Sequence, residues 1–143
     1  MNFKALARLR KRQFEQAEKE LAAVNAELDR LKARREALRA DMRAVEPPRS
    51  GRGTDLAAVV AQKRAHMKAI ERLDVQIEAV TARKREKERA LKAAHIAYEQ
   101  AKSLESQALA VLMARRARQE RSRLDEIAGQ RFWRDRNGKG ERA

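Results

Sequence analysis

The chain has 143 residues, 35 basic and 21 acidic side chains for a formal charge of +14, 3% aromatic residues and no cysteine. Disulfides and thiolate metal sites are excluded, and Leu, Ile, Val and Phe, at 27 of 143 residues, are too few for a large globular core. Ala, Leu, Glu, Lys and Arg make up 91 of 143 residues, which marks long helices or a coiled coil if apolar residues recur every 3.5 to 3.6 positions and disorder if they do not.

The opening "MNFKALARLRKRQFEQAEKE" has no apolar h-region, so a secretory signal is not expected. From there a 3-4 spacing runs through Phe3, Ala7, Arg10, Phe14, Ala17, Leu21, Val24, Leu28, Leu31, Arg35, Leu38, Met42 and Val45, eleven of the thirteen apolar. Sustained over more than six heptads, this is coiled-coil patterning, and it predicts a helix over 2–45. The pattern breaks at "EPPRSGRGTD", where Pro47 and Pro48 cannot continue a helix and Gly51 and Gly53 loosen the chain. A loop is expected over 46–54, with Thr54 or Asp55 capping the next helix.

The second helix is predicted over 55–135. Its stripe is Leu56, Val60, Lys63, Met67, Ile70, Leu73, Ile77, Val80, Lys84, Lys87, Leu91, Ala94 and Tyr98. Two successive three-residue steps, from Met67 to Leu73, predict a local overwinding. Folded across the loop, the stripes pair Val45 with Leu56, Leu31 with Ile70, Leu28 with Leu73, Leu21 with Val80 and Phe3 with Tyr98, each pair of numbers summing to 101. Lys84 and Lys87 then fall opposite Ala17 and Phe14, with their stems on the seam and their charges in water. The expected fold is all-α: a single antiparallel two-helix coiled-coil hairpin over 1–135, its paired part about 65 Å long. A parallel dimer of long helices competes, and the Pro-Pro-Gly loop disfavours it.

Helical sequence outlasts the pairing. About 37 residues after Tyr98 form a C-terminal helical overhang of roughly 55 Å. Its apolar stripe is Leu104, Ala108, Val111 and Leu112, then Leu124, Ile127, Ala128 and Phe132. A lone helix frays unless something covers such a face. Phe132 and Trp133, at its end, therefore point to an external partner. The last residues, 136–143, read as a disordered tail.

Charge sharpens this. Residues 115–143 carry ten basic and five acidic side chains, with Arg115, Arg116, Arg118, Arg121 and Arg123 in close succession. Such a segment is steered toward an acidic surface. Catalytic patterns are missing: His66 and His95 lie 29 residues apart outside any H-E-x-x-H, "GRGTD" lacks the lysine of a phosphate loop, and Glu86 and Glu88 sit on solvated helix. No enzyme is expected. No apolar run reaches the roughly 20 residues of a transmembrane helix.

"QERSRLDEIAGQRFWR", with Glu120, Leu124, Asp125, Glu126, Ile127, Ala128 and Arg131, resembles the C-terminal signature of the flagellar export protein FliJ family. The opening "NFKALARLRKRQFEQAEKELA" is similar to that family's start. The resemblance implies a component of the flagellar type III export apparatus, a coiled-coil stalk like that of rotary ATPases, located in the cytoplasm and peripheral to the inner membrane through the apparatus. The related stalks of injectisomes share the plan. Implied partners are the hexameric export ATPase, the cytoplasmic domain of the export gate and export chaperones, with no cofactor and no small-molecule substrate. The expected contacts are Arg121, Arg123, Leu124, Asp125, Glu126, Ile127, Arg131, Phe132, Trp133 and Arg134. The alternatives are a basic coiled coil that binds nucleic acid and an amphipathic helix over 104–133 lying on anionic membrane.

Overall fold

The structure, a computed structural model, describes residues 2–45 and 53–141. The described residues form two α-helices, α1 (Phe3–Ala44) and α2 (Gly53–Glu141). The fold is all-α, and the two helices pair antiparallel as a coiled-coil hairpin. Pro47, Pro48 and Gly51 of the expected loop lie outside the described residues.

Asn2 caps α1. Its Oδ1 accepts from the Ala5 N–H at 3.2 Å and its carbonyl accepts from the Leu6 N–H at 3.2 Å, which satisfies two donors of the first turn. Gly53 opens α2, which puts Thr54 and Asp55 inside the first turn and not at the cap. An acid in that turn complements the positive end of the helix dipole. At the other end α2 runs on to Glu141, so residues 136–141 are helical where the sequence suggested a disordered tail.

The chain divides into two compact units. The larger, Arg10–Ala97, is the paired coil. Every α1 position of the predicted stripe within it, from Arg10 to Val45, is buried or half-buried. Its core is Val24, Leu28, Ile77 and Val80, with Leu31 packed against them. In the smaller unit, Met1–Leu9 with Tyr98–Ala143, the buried apolar residues are Ala7 and Ala101. Half-buried Glu105 and Ala108 continue that line along α2.

The register differs from the predicted one by one heptad. Arg35 pairs with Asp74 at 2.9 Å, Arg83 with Glu27 at 3.3 Å and Lys87 with Glu20 at 3.3 Å. The rings of Phe14 and His95 lie 5.2 Å apart, centroid to centroid. These pairs sum to between 107 and 110, so residue numbers across the seam add to about 108 and not 101. A shift of seven keeps every apolar position on the seam, so apolar matching cannot separate the two registers. Charge can. In the 101 register Glu27 falls level with Asp74, like against like, and Arg35 with His66. In the observed one Glu27 and Arg35 both meet opposite charges.

The first turns of α2 also differ. Leu56, Val60 and Met67, placed on the seam by the sequence pattern, are exposed, and Val59, His66 and Ala69 are half-buried in their place. The buried and half-buried line then runs Val59, His66, Ile70, Leu73 and Ile77, with exposed Gln62 and half-buried His66 lining a groove against Asp41, Ala44 and Val45. Val59, His66, Leu73 and Val80 follow one another at intervals of seven, as do Ile70, Ile77 and Lys84, so the heptad continues without the overwinding expected between Met67 and Leu73. The His66 ring helps hold this line, its Nδ1 lying 2.8 Å from the Gln62 carbonyl oxygen one turn back.

Candidate functional site

Past Ala108, every α2 residue from 109 to 137 is exposed. Helical sequence of high propensity carries the segment, with Ala, Leu, Arg, Glu and Gln filling most of 104–131. Only Gly129 interrupts it, and a Cβ there meets nothing within 4 Å, so no close packing requires the glycine. The uncovered side chains include large apolar ones. Leu109, Val111, Leu112, Met113, Leu124 and Ile127 are all exposed, and Phe132 and Trp133 are 66% and 68% exposed.

All ten sequence-predicted contact residues lie on this segment: Arg121, Arg123, Leu124, Asp125, Glu126, Ile127, Arg131, Phe132, Trp133 and Arg134. The helix does not gather them onto one face. At 100° per residue, Arg123, Ile127 and Arg134 share one side, Leu124 and Arg131 the next, and Arg121, Asp125 and Phe132 another. Glu126 and Trp133 line a shallow groove with Gly129, Gln130 and Arg134. A second groove, between Arg116, Gln119, Glu120 and Arg123, opens further up the helix.

The electrostatics of the segment are open as well. Among the described residues, ion pairs span Glu20 to Lys102, and none involves a residue after Lys102. Glu120, Asp125 and Glu126 stand within a turn of arginines, yet no guanidinium closes on them. The positive field of the segment is therefore not neutralised among the described residues.

Stripe analysis of the sequence missed Leu109 and Met113. Residues 108–114 read "ALAVLMA", apolar right round the helix, so a search for one face selects Val111 and Leu112 and passes over the rest. An all-round apolar run on a polar helix was the available signal. Among the described residues, no helix is long and apolar enough to cross a membrane, and no group of three or more His, Asp or Glu side chains is placed to hold a metal ion.

A family model described as Flagellar FliJ protein matches residues 1–137. The chain belongs to the FliJ family. Membership makes it a component of the flagellar export system, in agreement with the C-terminal signature around Leu124–Ile127. No curated protein and no solved structure matches this FliJ chain.

Proposed function

We propose that this FliJ-family chain is a coiled-coil stalk whose exposed C-terminal helix inserts into the hexameric flagellar export ATPase. One observation carries the reading: between 109 and 137, apolar and arginine side chains point outward on every side of a fully exposed helix. A helix resting on a flat surface needs one sticky face. A helix that is apolar and cationic all round suits an enclosing partner with an acidic lining, as the lumen of a ring provides. Leu124, Ile127, Phe132 and Trp133 are the apolar anchors. Arg121, Arg123, Arg131 and Arg134 meet acidic groups of the lumen, and Asp125 and Glu126 set the register. Aromatic and arginine side chains are the usual energetic centres of an interface, while the remaining charges supply steering. The cytoplasmic domain of the export gate and the export chaperones are the further partners of the stalk. On this reading the protein works in the cytoplasm, peripheral to the inner membrane through the apparatus.

The test is ATP turnover by the purified export ATPase of the same organism, titrated with the full chain, with a chain ending at Arg118 and with Trp133→Ala. Stimulation that saturates with the full chain, vanishes on truncation and persists at moderate salt supports the stalk. Trp133→Ala is expected to weaken binding by about 2 kcal/mol or more. No stimulation by any form, together with salt-sensitive retention on DNA, sinks the reading in favour of phosphate binding by the unpaired arginines.

A further inference from the structure

Beside the line of Ala101, Glu105 and Ala108, a second row runs along α2 one residue further on, about 100° around the helix. Glu99, Lys102 and Ser106 lead to Leu109, and Met113 leads on to Arg116, Glu120 and Arg123. The steps alternate between three and four residues throughout, which is the spacing of a coiled-coil seam. Every residue of the row is exposed. It is a seam without a second helix.

The spacing of this row is symmetrical about the level of Val111. Mirrored positions are Glu99 and Arg123, Lys102 and Glu120, Ser106 and Arg116, and Leu109 and Met113, each pair of numbers adding to 222. Charge inverts across the centre: acid then base on one side answers base then acid on the other. No mirrored pair sets like charges together. Half-buried Glu105, next to Ser106, adds an acid almost level with the mirror position of Arg116. Among the described residues Glu105, Arg116, Glu120 and Arg123 enter no ion pair, and Lys102 holds Glu99 at 3.7 Å.

We propose that this row docks a second copy of the chain, antiparallel, on a two-fold axis level with Val111. Leu109 and Met113 of both copies form an apolar centre of four side chains. Outward from it, Lys102 meets Glu120 in the shallow groove between Arg116 and Arg123, and Glu99 meets Arg123. Arg116 lies over Ser106 with Glu105 beside it. The contact is isologous, so each pair is made twice. Parallel pairing would set every charge against its own equivalent. A shift of seven residues either way would put Leu109 opposite Glu120 or Met113 opposite Lys102. A uniformly acidic partner is repelled by Glu99 and Glu120, and a uniformly basic one by Lys102, Arg116 and Arg123. The same row reversed is complementary at every charged level. This pairing does not rest on the stalk reading, but it engages Arg123, so the dimer has to open before the helix enters a ring.

Sedimentation equilibrium of the purified full chain over a wide concentration range tests it. A reversible monomer–dimer equilibrium is expected. The double variants E99K/K102E and E120K/R123E are each expected to weaken it about 10-fold or more, because like charges then oppose at both levels on each side of the axis. An equimolar mixture of the two variants restores opposite charges at every level and is expected to recover dimer. All four side chains are exposed, both variants keep the formal charge of +14, and circular dichroism checks that each keeps its helix content. A monomer at every concentration overturns the proposal. So does a dimer indifferent to either reversal, or one that both reversals weaken and the mixture fails to recover.

Discussion

Leu28→Ala tests the packing account most directly. Leu28 is 3% exposed and sits with Val24, Ile77 and Val80 at the centre of the only buried apolar cluster among the described residues. Truncation removes three buried carbons, worth about 2.4 kcal/mol at roughly 0.8 kcal/mol each. A cavity term can raise a Leu→Ala loss to about 5 kcal/mol in a closed core. Here the seam has only two walls, and the neighbouring interface already opens into a groove lined by Leu31, Leu38 and Leu73. Water and side chains can fill the gap, so the loss should stay at about 2 to 3 kcal/mol. Urea unfolding followed by helical circular dichroism reads it as a lower midpoint. At a slope of about 1 to 3 kcal/mol per molar, the shift is about 1 M or more. The control is Leu109→Ala, where 56% exposure and the better helix propensity of alanine should keep the change within about 0.5 kcal/mol. Equal shifts for the two variants would refute the assignment of Leu28 to a core.

Two further predictions bear on register and polarity. With no native cysteine, Leu31→Cys combined with Ile77→Cys should oxidise readily to an intramolecular disulfide, whereas Leu31→Cys with Ile70→Cys should not. Seven residues displace the second pair by about 10 Å along the helix, beyond the reach of about 7 Å between Cα atoms; non-reducing electrophoresis of the two variants decides. Asn25 has a buried Oδ1 with no hydrogen-bond partner, a situation that costs about 1 to 3 kcal/mol. Asn25→Leu should therefore stabilise the coil by about 1 kcal/mol or more, and a lower urea midpoint would show that the oxygen is satisfied in solution.

The sequence carried α1 in full, since each residue of its thirteen-position stripe is buried or half-buried. One apolar row leaves one choice of face. α2 offered two over its first turns, Leu56–Val60–Met67 and Val59–His66–Ala69, and periodicity selects the more apolar one. The protein buries the other, because that line continues into Leu73, Ile77 and Val80 at the register the charges favour. Register was illegible for a related reason. A heptad repeat is degenerate to shifts of seven, and only the flanking residues Glu20, Glu27, Arg35, Asp74, Arg83 and Lys87 break the tie. The candidate site was legible as an exposed arginine-rich and aromatic segment. Its all-round character was not, because stripe analysis asks for a single face.

The same imbalance explains why surfaces are left over. In a two-helix coil each helix can cover only one stripe of the other. α1 has one stripe and spends it on the seam. α2 is twice as long, 89 residues against 42, and carries apolar side chains at Leu56–Val75 and Leu104–Trp133 that α1 does not cover. Exposed apolar rows on so polar a chain cost solubility unless they are covered. The C-terminal segment is cationic, and among the described residues after Lys102 no ion pair forms, an electrostatic pattern that is complementary to an acidic surface.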